Sequence, residues 1–178
     1  MTAKPPLEKI QTSEKTLERL TLNIPGFRGY KLREQRREAD RIVRDHIYRA
    51  LEQSRDNLTS CFQALNDAKA SELVEPMNRL IAKLDRVAEK INRASYGYSG
   101  FFDAIKVEEP ELDNMLTYDT QLMDLARKID EAGNSFKADL TQAKIETART
   151  NQATLDSLIS NLESAFDQRK TVIEGVKV

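Results

Sequence analysis

From Tyr30 a long segment of helical periodicity begins, a stripe recurring in steps of about three and four, and it runs as far as Glu75-Pro76. Val43, Ile47, Ala50, Ser54, Leu58, Cys61, Leu65 and Ala68 mark the stripe. That spacing keeps one face of a helix turned towards a partner, and no stretch of the chain shows the period-two alternation of a half-buried strand. The rest of the sequence agrees. Leu, Ala, Glu, Lys, Arg and Gln, the strong helix formers, dominate between six glycines and five prolines. The expected fold class is all-α.

The breaks in the pattern set the organisation. Pro6 suits a first helical position, and Leu7, Ile10, Leu17 and Leu20 predict a short amphipathic helix over 6–20 that docks on something larger. Pro25-Gly26 then fits a type II turn. Pro76 lacks the amide a helix interior needs, so the long helix ends or kinks there. The stripe resumes with Met77, Leu80, Ile81, Leu84, Val87, Ala88, Ile91 and Ala94, is lost over 96–110, and returns with Leu112, Met115, Leu116, Leu122, Met123, Ala126 and Ile129. Gly133-Asn134-Ser135 reads as a helix stop followed by N-cap residues.

With both breaks taken as turns, the chain is an antiparallel four-helix bundle with helices over 30–75, 77–95, 111–132 and 135–174, plus the short extra N-terminal helix. With both taken as kinks, it is a long two-helix hairpin that oligomerises to cover its second apolar stripe. Short helix–helix turns favour the bundle. The 178 residues fit a single helical domain, with no internal repeat in the sequence. In the last segment, Thr147–Thr154 is polar on nearly every face and is expected to be exposed, loosely packed or engaged elsewhere.

Few residues here can carry chemistry. One Cys and one His allow neither an intrachain disulfide nor a structural zinc site, and no Gly-rich phosphate loop is present. A di-iron bundle site needs Glu-x-x-His pairs, but Val43 stands three before His46. His46 flanks the stripe and reads as a boundary residue, while Cys61 reads as core. The expectation is a protein without enzymatic activity, cofactor or metal. No run of apolar residues resembles a secretory signal or a membrane span, so the expected location is cytoplasmic.

Charge is unevenly spread. Lys and Arg total 28 against 29 Asp and Glu, so the whole chain lacks the basic excess typical of nucleic-acid binders. Between Arg28 and Arg49, however, eight basic residues stand against four acidic ones. Arg33, Arg37, Arg41 and Arg44 share one helix side and form a candidate anion-binding face for an anionic membrane or nucleic acid. The plainer reading is a solvated face laced by Glu34–Arg37, Glu38–Arg41, Asp40–Arg44 and Asp45–Arg49. Residues 103–119 are acidic in turn. Arg36 and Asp119 sit close to stripe positions, where a polar contact that sets bundle register or a side chain reaching for the edge both fit.

The sharpest local anomaly is Tyr96-Gly97-Tyr98-Ser99-Gly100-Phe101-Phe102, which holds four of the eleven aromatics. So apolar a loop either plugs the end of the bundle, the favoured reading, or docks on a partner through Tyr96, Tyr98, Phe101 and Phe102. This loop, together with Pro25-Gly26-Phe27-Arg28-Gly29-Tyr30-Lys31-Leu32-Arg33-Glu34-Gln35-Arg36-Arg37-Glu38, resembles an all-helical prokaryotic family without assigned activity, over about residues 25–107. The resemblance implies no substrate or partner and no functional residue. The expected function is therefore that of a helical interaction or scaffold protein that binds a protein partner or itself, with the arginine face as the second reading.

Overall fold

The computed structural model describes residues 18–25, 33–94 and 109–175, with side chains described over 18–25, 39–94 and 113–171. Among these residues every regular element is a helix. Residues 18–23 belong to α1, followed by α2 (Arg33–Thr59), α3 (Cys61–Asp67), a 3-10 turn (Ser71–Leu73), α4 (Val74–Asn92), α5 (Glu109–Thr141) and α6 (Ile145–Gly175). The chain is an all-α helical bundle.

A four-three repeat runs through its core, flanked by Ala39, Val43, Ala88, Leu116, Leu125 and Ala165, which are buried as well. Buried positions alternate in steps of four and three along each rod: 40, 44, 47, 51, 54, 58, 61 and 65 on α2 and α3, then 77, 80, 84, 87 and 91 on α4. On α5 they are 115, 119, 122, 126, 129, 133, 136 and 140, and on α6 148, 152, 155, 159, 162, 166 and 169. A repeat of 3.5 residues is the pattern of helices that pack knobs into holes at shallow angles. The deepest stripe residues on α2 and α6 include Leu51 and Ile159, one position on from the expected Ala50 and Leu158, which are half-buried.

The helices form two antiparallel hairpins, α2–α3–α4 and α5–α6. They lie side by side and point the same way. Asn57 bonds Asn134 and Lys137 donates to Ser60 Oγ, so α2 and α5 run parallel. Lys83–Asp156 and Lys90–Asp167 show the same for α4 and α6. α2 and α6 each pack against α4 and α5, which leaves α4 and α5 at opposite corners. The chain between Asn92 and Glu109 therefore joins diagonal helices at one end of the bundle.

Neither expected break is a turn. Pro76 is the third residue of α4, where the helix has no carbonyl to offer its amide and a missing N–H is harmless. Gly133 lies inside α5 with its α-carbon against Leu58; a β-carbon there would meet Leu58 Cδ2 at 3.5 Å. The turns fall at 68–70 and 142–144 instead. Both close the same way: Ala70 N–H bonds Leu65 O and Lys69 N–H bonds Asn66 O, while Lys144 N–H bonds Asp139 O and Ala143 N–H bonds Leu140 O. Lys69 and Ala143 take the left-handed conformation that this cap requires, at φ 54° and 55°. Consequently, of the four rods (α2 with α3, α4, α5 and α6) only α4 is short, and α5 reaches nine residues past the expected end at 132.

α1 docks through Leu20 and Ile24, both buried, and is tied to α5 by Arg19–Asp124 at 2.9 Å. Its helix continues to Asn23, whereas residues 6–17 of the expected docking helix lie outside the described residues. Thr147–Thr154 is mostly exposed, as expected, but two of its residues face inward. Ala148 is buried, and Gln152 enters the core to donate to Leu73 O at 3.2 Å.

Candidate functional site

Four of the buried stripe positions at one end of the bundle are charged. Arg169 on α6 and Asp119 on α5 are both 0% exposed, and Asp40 and Arg44 on α2 are nearly as deep. Arg169 Nε donates to Asp119 Oδ1 at 2.6 Å and Nη2 donates to Asp40 Oδ1 at 2.7 Å. Arg44 Nε donates to the second Asp40 oxygen at 2.9 Å, and its Nη1 reaches the carbonyl of Asn92 at the end of α4 at 3.2 Å. Two carboxylates and two guanidinium groups thus balance within one layer that touches all four main helices. Charge-assisted bonds of this length are the strong class, and burial without them would be prohibitive.

This layer corrects the arginine face. Arg44 is turned into the core rather than towards solvent, because Asp40 one turn earlier and the α4 terminus supply its partners. Arg41 is exposed, and the side chains of Arg33, Arg37 and Arg36 lie outside the described residues. The Asp45–Arg49 pair is present on the surface at 2.9 Å. Asp119 does make the polar contact that its position near the stripe suggested, with Arg169 as the main partner. Sequence reasoning missed Arg169. Its signal was its place in the step pattern, three residues beyond Phe166.

Tyr96, Tyr98, Phe101 and Phe102 lie outside the described residues. The helix ends that flank them do not: α4 ends and α5 begins at the same end of the bundle as the charged layer and the start of α2. The two segments with the densest aromatic content, 26–32 and 95–108, therefore attach to one end.

Two depressions open on the sides. A cleft of about 280 Å³ lies between α1, α2 and α5, with Leu20, Ile47, Ala50, Met123 and Ala126 beneath a polar rim of Arg19, Asn23, His46, Thr120, Asp124 and Arg127. The rim charges are already matched, Arg19 by Asp124 and Arg127 by Glu131. Burial lowers the pKa of His46; Asp45 opposes the shift and Arg49 adds to it. A broader groove of about 610 Å³ runs between α5 and α6, lined by Gln121, Lys128, Asn161, Ser164 and Gln168 among others. Along this side of α6, the hydroxyls of Thr150, Thr154 and Ser157 bond their own helix one turn back, which leaves their methyl and methylene groups outward.

The seam between α4 and α6 is electrostatic. Lys83 bonds Asp156 and Ser160, Arg86 bonds Glu163, and Lys90 bonds Glu163 and Asp167 at 2.6–3.2 Å. For Lys90 burial works against the charge, but the bonds to Asp167 and Glu163 outweigh it and raise its pKa. Cys61 is buried, and burial raises its thiol pKa against the pull of Lys137, as befits a core residue. Among the described residues no group of three or more His, Cys, Asp or Glu could hold a metal ion, and no helix is long and apolar enough to cross a membrane. The chain matches no family model, no curated protein and no solved structure.

Proposed function

We propose that this chain is a non-catalytic helical interaction protein that self-associates, with its contacts concentrated at the bundle end from which 95–108 departs. The observation that carries this reading is topological. Segments 26–32 and 95–108 hold Phe27, Tyr30, Tyr96, Tyr98, Phe101 and Phe102, six of the eleven aromatics, and both attach at that end. Aromatic side chains with glycines beside them offer large apolar area on an adaptable backbone, which is what a docking segment needs. Asp40, Arg44, Asp119 and Arg169 at the same level are matched within the core.

The test compares native chain with a Phe101→Ala, Phe102→Ala double variant by light scattering over a range of concentrations. Mass should rise with concentration for the native chain. The variant should remain monomeric with its unfolding midpoint unchanged. A native chain that stays monomeric throughout would defeat self-association. An associating variant with a lowered midpoint would instead make the loop a plug on the core.

A further inference from the structure

The apolar stripes by themselves do not say how the two hairpins should align. Each repeats in steps of four and three, so sliding one hairpin past the other by a heptad, about 10.5 Å, again sets apolar residues against apolar residues. The charged layer breaks that degeneracy. Asp119 and Arg169 belong to one hairpin and move together, but a shift of one heptad between the hairpins would set Arg169 against Ile47 in place of Asp40, so that Arg169 and Asp40 lose each other inside the core. The layer also joins the hairpins across the bundle diagonal, since Arg169 on α6 bonds Asp40 on α2.

We infer that the Asp40–Arg44–Asp119–Arg169 layer is a register lock, which selects one alignment of the two hairpins among several that the apolar stripes tolerate equally. Its contribution is to uniqueness rather than to net stability. Desolvating four charges cancels much of what their mutual attraction gains, so a well-packed apolar layer would hold the bundle at least as firmly. Removing one member is a different matter, because it strands the opposite charge in the core. The lock acts within a single chain and is independent of any association through the aromatic segments.

The deciding experiment measures alignment directly. Nitroxide labels are placed at two exposed positions on diagonal helices, Gln53→Cys on α2 and Ser157→Cys on α6, in a Cys61→Ala background, and their separation is read by pulsed electron resonance. With the layer intact, one distance should be found. In the variant Asp40→Leu, Arg44→Met, Asp119→Leu, Arg169→Met, helicity should persist and the unfolding midpoint should not fall, while the distance splits into two or more populations. Dilution with unlabelled chain confines the readout to labels within one molecule. A companion variant, Arg169→Met alone, should lower the midpoint sharply. A single unchanged distance in the fourfold variant overturns the lock. So does a lowered midpoint or lost helicity there, since the layer would then be holding the bundle together. An Arg169→Met variant as stable as the native chain would overturn it as well.

Discussion

His46 stands half-buried at the rim of the cleft under α1, where loss of solvent disfavours the imidazolium. The unfolded chain takes up this proton near the ordinary value of 6.5, whereas the folded chain takes it up only at lower pH. Stability held above 6.5 is therefore lost progressively as pH falls towards the folded value. His46→Gln should remove this part of the pH dependence. The check is the difference in unfolding midpoint between native and variant chains from about pH 7 to about pH 5, which should shift in the variant's favour on acidification. A constant difference would mean that the ring is as solvated as in the unfolded chain. Two residues before it, Arg44 shows where reading by residue type stops. In the sequence it is one arginine among four on a helix side, and only its place in the four-three stripe, between Asp40 and Ile47, marks it as internal. Arg169 gave less away still, because its two partners lie 50 and 129 positions earlier in the chain.

At the scale of elements, Gly133 makes a clear case. It lies mid-helix, where glycine is less favourable than alanine by about 1 kcal/mol. A β-carbon would meet Leu58 Cδ2 at 3.5 Å, an ordinary contact. Gly133→Ala should therefore stabilise the chain by roughly 0.5–1 kcal/mol, measured by urea unfolding. A destabilised variant would show that α5 and α2 approach too closely for the added methyl. The same residue explains a misplaced boundary. Glycine and proline are the usual punctuation of helices, and here Gly133 lies in a helix interior while Pro76 serves a first turn. The actual turns are made by Ala68-Lys69-Ala70 and Gln142-Ala143-Lys144, whose side chains carry no turn signal. Their left-handed residues are held by two backbone bonds each and by burial of Leu65, Ala70 and Leu140, which tertiary packing supplies and local sequence does not. The stripes themselves were legible, since burial follows their spacing along every rod.

For the whole molecule, the two hairpins meet along unlike seams. On the α2–α5 side Asn57 and Asn134 pair above a continuous core, while on the α4–α6 side Lys83, Arg86 and Lys90 face Asp156, Glu163 and Asp167. These side chains are partly in solvent, so each pair is worth a fraction of a kcal/mol to about 1 kcal/mol. Replacing all three cations with methionine should lower stability by roughly 1–2 kcal/mol at low salt. The loss should shrink in about 1 M NaCl, where the screening length falls to about 3 Å. Urea unfolding at both salt levels measures it, and an equal loss in each would assign the effect to packing of the long side chains. Which helices would be neighbours was not legible. Four stripes of the same period fit several arrangements around a square, and the parallel pairing of hairpins rests on contacts between distant residues.

That pairing bears on how the chain is made. Contacts between hairpins join residues some 73 to 77 positions apart along both seams. The α2–α4 hairpin is therefore synthesised well before the helices that cover it. During that interval Ile47, Leu51 and Leu58 form a bare stripe, and bare stripes on neighbouring nascent chains attract one another. Asp40 and Arg44 stand in the same stripe and can bond within α2 alone, one turn apart. A charged pair at the margin of an apolar strip acts as a gatekeeper against such premature encounters. The two residues that end up sealed inside the finished bundle thus begin as the guard on its unfinished half.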